Sequence, residues 1–372
     1  MMVSLPPLLL FIMDTITMIA IYLIATLSLN IEYGYTGIAD FGKSAGVAVG
    51  AFVVGAIPGR ILMMLLAIKG DYILDNTPIV SAINSVLGRD TLLAIGTLVL
   101  GLALAVAFGA LFGYVVSYPV ARLKGEYFAI FMLAISEAMR YIFNYYTPVV
   151  GGPYGVMVPD PLRFITAKYG GQLRLIITSI VITFISIGIF YYAERLARSP
   201  LGRTLRAIRD CDVAAEVLGK DVVSYRMKIT VISSAMAALA GALYAFYTLY
   251  VAAIAYDRVT WTFWPWTILI LGGMANNVGM VVGTVLFVVV TRLIIIFKRS
   301  LEPILPFDVV WLEYILFGLM LIIVLMFRPE GLLPEKPTRT IEFEKFKKTR
   351  AARVAEGPEG EEVSGGEAEG GG

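Results

Sequence analysis

The stretch RLARSPLGRTLRAIRDCDVAAEVLGKDVVSYRMK, Arg195 to Lys228, decides the fold, because it interrupts sequence of membrane-grade apolarity. It carries eight Lys and Arg. Leu201, Leu205, Ile208, Val213 and Val217, with Leu218 beside the last, recur at steps of three to five residues, the spacing of one amphipathic helix. A charged helix between apolar spans faces water. Its first-choice use is to receive force from a partner on the inner side of a membrane.

The flanks are consistent with that reading. Hydrophobic residues make up 58% of the chain and charged ones 16%, and mean hydropathy is +0.81. Soluble domains are far less apolar. A helical span needs roughly 20 apolar residues, and such runs recur along the sequence. The expected fold is an all-α polytopic membrane protein with about 8–10 transmembrane helices, some broken or re-entrant. A β-barrel would alternate over short segments instead. The single cysteine, Cys211, excludes a disulfide framework, and the absence of histidine removes the usual metal ligand and general base. The first apolar run lacks a basic leader and a small-residue cleavage site, so it reads as a span and not as a signal peptide.

Apolar runs cover about Leu8–Leu29, a glycine-rich region from Gly34 to Ile68, then about Thr91–Tyr118, Tyr127–Tyr146, Leu175–Tyr192, Ile229–Ala255, Phe263–Val290 and Val309–Phe327. The polar centre from Gly272 to Asn277 makes Phe263–Val290 either two half-helices or one long hairpin. Residues 1–334 are read as the transmembrane domain, with the charged loop 195–228 inside it. Residues 335–372 are read as a disordered tail, with six Glu and no Lys or Arg after Ala355. The positive-inside rule puts the 195–228 loop, Arg122 and Lys124, and the basic tail (Lys345, Lys347, Lys348, Arg350, Arg353) in the cytoplasm. This requires an even number of crossings after Lys228, and leaves the side of the N-terminus open.

Several signals admit an ordinary structural reading and a functional one. Small residues recur every fourth position: Gly42, Gly46, Gly50; Gly101, Ala105, Gly109, Gly113; Ser233, Ala237, Gly241, Ala245; Gly279, Gly283. Close packing within one bundle is the ordinary reading, and sliding contacts or dimerisation the functional one. GIADFGKSAGVAVGAF (37–52) and GGMANNVGMVVGTVLF (272–287) resemble an internal repeat, and corresponding broken segments point to a transport site near the midplane. On this reading Gly37, Asp40, Gly42, Gly272, Gly273, Asn276 and Asn277 line the pathway. The charges within apolar runs, Asp14, Glu137 and Arg140, read first as structural; Glu137 and Arg140 share a helix face and can pair. No GxxxxGK[ST] loop is present, so the chain itself binds no nucleotide. Arg203, Arg206 and Arg209 fit inner-leaflet lipid or a docking surface better than nucleic acid. The interspersed Asp210, Asp212 and Glu216 favour docking of a soluble partner.

The order GYTGIADFG (34–42), LKGEYFAIFMLAISEAMR (123–140), GGPYGV (151–156), RSPLGRTLRAIRDCDVAAEVLGKDVVSYR (198–226), ALAGALYA (238–245), LILGGMANNVGMVVGTVL (269–286) and FRPEGLL (327–333) resembles the LivM-type permeases of branched-chain amino acid ABC importers. The resemblance spans roughly residues 8–334. It implies a type II importer fold and a non-catalytic subunit that pairs with a LivH-like permease. It also implies two LivG/LivF-like ATPases carrying Mg-ATP, and an extracytoplasmic binding protein. By the same resemblance the coupling surface comprises Arg203, Arg206, Arg209, Ala214, Ala215, Glu216 and Gly219. Ala214 and Ala215 would present a small surface to the ATPase, and Gly219 would end the helix at its C′ position. Urea and short-amide importers use similar permeases, and an ion-coupled secondary carrier is the other class. The chain departs from the family pattern at Ala39–Lys43, where Asp40 and Lys43 replace uncharged or histidine residues. It departs again at WTFWPWTILILGG (261–273), which replaces an aliphatic run.

Overall fold

The computed structural model of the chain describes residues 6–120, 123, 125–301 and 309–335. Arg122, Lys124 and the tail 336–372, with its basic and acidic runs, lie outside the described residues. The helices are α1 (Pro7–Leu29), α2 (Lys43–Leu65), α3 (Asn76–Leu87), α4 (Thr91–Val120), α5 (Glu126–Tyr145), α6 (Thr147–Val150), α7 (Arg163–Tyr169), α8 (Gly171–Arg198), α9 (Pro200–Asp210), α10 (Asp212–Val217), α11 (Val222–Thr248), α12 (Trp264–Gly272), α13 (Asn277–Leu301) and α14 (Val309–Phe327). π-Helical turns extend α1 over Asn30–Gly34 and lead into α12 over Val259–Phe263. The described strands, Val156–Met157 and Tyr250–Val251, form one short antiparallel pair. Among the described residues, six helices are long and apolar enough to cross a membrane, and Trp311–Phe327 is a shorter apolar helix.

Side-chain contacts fix the direction of each pass. α1 and α8 run parallel: Ser179 donates to Met13 O at 3.0 Å, and Ser186 donates to Ala20 O at 3.0 Å. The end of α1 reaches the end of the bundle that holds α9, where Arg209 donates to Gly34 O at 2.6 Å. α2 rises from there beside α11, and α4 descends against α11, with Gly101 by Phe246, Gly109 by Ala238 and Gly113 by Ser234. Residues 7–13 therefore lie at the end opposite α9. α11, the segment 250–272, α13 and α14 then alternate in direction, and the segment after α14 returns to α9. The region 263–290 is two pieces: α12 descends, the chain breaks at Gly273–Asn276, and α13 rises. The break in 34–42 and the break in 273–276 turn at the same end of the bundle.

α11 forms the centre of the core, because its small face lets α2 and α4 touch its backbone. A Cβ on Gly241 would strike the carbonyl of Val47 in α2, and one on Gly50 would strike that of Ala238. Gly279 and Gly272 approach each other in the same way across α12 and α13. These rows of small residues pack inside one chain. Replacing Gly241 by Ala should push α2 from α11 and cost about 1–3 kcal/mol. Gly96 has no heavy atom within 4 Å of a built Cβ; Gly96→Ala should be neutral or stabilising by about 0.4–1 kcal/mol. Thermal unfolding in detergent, followed by tryptophan fluorescence, separates the two.

Candidate functional site

The charged loop is two short helices and not the single one its apolar spacing suggests. Ser199 caps α9, accepting from Gly202 N at 3.3 Å, with Pro200 at the first helical position. Cys211 is extended, with φ −161° and ψ 106°, and it breaks the rod before α10. Gly219, at φ 75°, ends α10. Lys220 N donates to Ala215 O at 3.0 Å and Gly219 N to Glu216 O at 2.9 Å, the paired bonds of a Schellman cap. Asp221 then caps α11 by accepting from Ser224 N at 3.1 Å.

The break rotates the two apolar faces apart. Leu205 and Ile208 of α9 point inward and are buried. Val213, Val217 and Leu218 are exposed, at 67%, 82% and 76%. Ala215 is buried against Ile208 and Val222, so it offers no surface to a partner; Ala214 and Glu216 do. Arg203 is exposed, but Arg206 and Arg209 turn into the protein. Arg206 Nε and Arg209 Nη2 each donate to Glu335 at 2.8 Å, and Arg206 lies over the Tyr35 ring at 4.9 Å. Partial burial works against the charge on Arg209, but Glu335 and Asp210 together outweigh it and hold the guanidinium above its usual range.

Behind α9 lies a buried ion cluster. Lys43 Nζ sits 2.6 Å from Glu32 Oε2, 2.9 Å from Asp40 Oδ2 and 2.6 Å from Ser233 Oγ. Lys43 and Glu32 are 1% and 0% exposed. The Ser233 hydroxyl also lies 2.8 Å from Ser28 O and 2.7 Å from Glu32 Oε2. Asp40 Oδ1 accepts from Gly42 N at 2.7 Å, and Trp266 Nε1 donates to Asp40 O at 3.0 Å. Two carboxyl groups thus face one ammonium. Glu32 Oε1 has no hydrogen-bond partner among the described residues.

Of the residues read as pathway-lining, Asp40, Gly42, Gly272, Gly273 and Asn277 are buried in this conformation, Asn276 is half-buried and Gly37 is exposed. Gly42 packs on the Met132 backbone, and Gly37 (φ 76°) lies beside Arg209. Asn30 ties the second break: its Nδ2 donates to Asn277 Oδ1 at 2.9 Å, and its Oδ1 accepts from Ala275 N at 2.9 Å. Asn277 donates onward to Glu194 at 2.9 Å. Asn276 caps α13 through Val278 N and donates to Leu333 O at 3.2 Å. Gly272 O accepts from Leu333 N at 3.1 Å, and Gly273 (φ 106°) packs on Leu333 O. The remaining charges pair structurally: Asp14 with Arg292 at 2.9 Å and with Tyr247, and Glu137 with Arg140 at 2.9 Å. Sequence reasoning left Asn30, Glu32, Glu194, Ser233 and Glu335 out of the site. Glu32 and Glu194 were visible as acids beside apolar runs; Asn30, Ser233 and Glu335 gave no signal of their own.

The family described as branched-chain amino acid transport system / permease component matches residues 11–325. The chain belongs to that family. The permease is 40% identical over 333 residues, 88% of its own length and 95% of the relative's, to the probable branched-chain amino acid transport permease protein LivM of Methanocaldococcus jannaschii. It is 26% identical over 341 residues, 86% of its own length and 69% of the relatives', to the high-affinity branched-chain amino acid transport system permease proteins LivM of Salmonella typhimurium and Escherichia coli. No solved structure matches. The permease is a multi-pass membrane subunit of the ABC importer class, as its motifs suggest.

Lys43→Met in the permease should leave Glu32 and Asp40 buried without their cation and destabilise it by about 3–5 kcal/mol. The neutral triple variant Glu32→Gln, Asp40→Asn, Lys43→Met should regain most of that loss. Detergent melting curves of the two variants test this; equal midpoints would show that the ion cluster is not what Lys43 stabilises.

Proposed function

We propose that this permease carries branched-chain amino acids into the cell, and that α9 and α10 receive the stroke of two LivG/LivF-like ATPases. The exposed apolar patch Val213, Val217 and Leu218 carries this reading. A six-residue helix that, with its capping Leu218, presents three large apolar side chains to water, while its other face is anchored on Ile208 and Val222, is built to be covered. Arg203 of α9 and Glu216 of α10 are exposed as well.

The end of the bundle that carries α9 is then cytoplasmic, in keeping with its Lys and Arg, and α1 begins on the outer side. Mg-ATP belongs to the partner ATPases. A LivH-like permease completes the transmembrane pair, and an extracytoplasmic binding protein delivers the amino acid at the end that holds the strand pair. The relatives' names support the substrate class. ATP-driven closure of the ATPases displaces α10, and α8 and α11, which flank it in the chain, move with it. Alternating access follows as the two broken segments shift against α11.

Substituting Val217→Asp or Leu218→Asp should weaken retention of co-expressed ATPases on the tagged permease by about tenfold or more, as loss of an interface anchor does. Asp90→Asn, at the opposite end, serves as control. Wild-type retention by both aspartate variants would remove the docking role.

A further inference from the structure

The segment that follows α14 has no part in the docking surface, yet it touches both the docking helix and the second break. We propose that Arg328–Glu335 is a strap that ties α9 to the α12–α13 break, with Glu335 as the positioning residue that makes docking-helix movement reach that break. The inference rests on the coupling role proposed above for α9 and α10.

At one end the strap covers the last carbonyls of α12, where the break begins. Leu332 N donates to Leu271 O at 2.9 Å and Leu333 N to Gly272 O at 3.1 Å, while Asn276 Nδ2 reaches Leu333 O at 3.2 Å and Pro334 O at 3.1 Å. Gly331, at φ 78°, packs on Gly273 so closely that a Cβ would collide with its backbone. At the other end, one Glu335 carboxylate spans two arginines of α9, with Oε1 2.8 Å from Arg206 and Oε2 2.8 Å from Arg209. Charge-assisted bonds of this kind are short and directional. Only Pro334 separates Leu333 from Glu335, so the link cannot stretch by more than a few ångströms.

The space beside this link is hollow. A cavity of about 570 Å³ is bordered by Tyr33, Gly34, Arg209, Met274, Pro334 and Glu335. Among the described residues, the ion pairs between α9 and the strap are those of Glu335, so movement of α9 reaches the strap through that carboxylate. A second route converges on the same break: Arg209 holds Gly34 O, and Asn30, one turn earlier, holds Ala275 N. Both routes end within Gly273–Asn276, where Gly273 and Ala275 adopt positive φ.

The test uses the complete transporter in proteoliposomes, with ATPase retention, ATP hydrolysis and leucine transported per ATP measured together. Glu335→Gln and, at the far end of the strap, Gly331→Ala should both keep the ATPases and continue to hydrolyse ATP. Each should lower leucine moved per ATP by about five- to tenfold, within the range of typical coupling free energies. The double variant should be no worse than the more severe single one, because both cut one link. An unchanged transport ratio in both single variants overturns the strap, and so does additive loss in the double. Loss of ATPase retention by Glu335→Gln also overturns it, since Glu335 would then serve assembly. Failure of the underlying coupling reading looks different: Leu218→Asp would retain the ATPases, or the wild-type complex would move leucine without ATP.

Discussion

The buried ammonium of Lys43 holds the permease together where its chain is least regular. It joins Glu32 at the end of α1, Asp40 in the irregular 37–42 segment and Ser233 in α11. Each of these charges alone would be costly to bury, and only their mutual geometry offsets the loss of water. α11 begins directly after α9 and α10. The position of α9 and α10 relative to the ends of α1 and α2 therefore depends on the cluster, and so does the register of the small-residue contacts between α2 and α11.

Irregular backbone within a membrane bundle must find its hydrogen bonds inside the protein. The two breaks solve this with side chains. Asp40 accepts from Gly42 N at the first, and Asn30 accepts from Ala275 N at the second. Asn276 caps α13 with one atom and receives the strap with another. Because Asn277, which accepts from Asn30, donates onward to Glu194, the second break is also connected to α8, the helix that leads into α9. The bundle is thus two kinds of joint: tight backbone contacts of small residues, which favour one register, and polar ties at the breaks, which exchange partners at lower cost.

Much of the class was legible from the chain alone. Hydropathy marked the six long apolar helices, although α5, from the run 127–146, is not among them; the segregation of Lys and Arg marked the charged loop, and Gly219 at a C′ position is where the helix ends. Glu137 and Arg140 pair as their spacing implies. The form of the docking loop was not legible as a whole. Its apolar residues keep helical spacing through Cys211, and nothing in that periodicity reports that Cys211 is extended; Ser199–Pro200 and Asp212 were the local signs of two separate helix starts. The inward turn of Arg206 and Arg209 depends on Glu335, more than a hundred residues later in sequence, and a contact of that separation leaves no local trace. The same is true of Ser233, whose role is set by Lys43.

Two charged and aromatic stretches far apart in the sequence meet in space. Asp40 and Lys43 lie in one, and Trp261, Trp264 and Trp266 in the other. Trp266 donates its indole N–H to Asp40 O, stacks on Phe41 with centroids 4.6 Å apart, and meets Tyr33 at 4.5 Å. Ser44 N donates to Thr262 Oγ1 at 3.0 Å, and Trp261 stacks on Tyr22 at 5.4 Å. An aliphatic run in place of the tryptophans would leave the Asp40 carbonyl without that donor and the Phe41 ring without a flat neighbour. Conversely, the charged trio needs a dry enclosure, because water admitted beside Lys43 would weaken each of its attractions. The aromatic rings and the buried charges are one packing unit built from two distant segments of the chain, and each supplies the condition under which the other is stable.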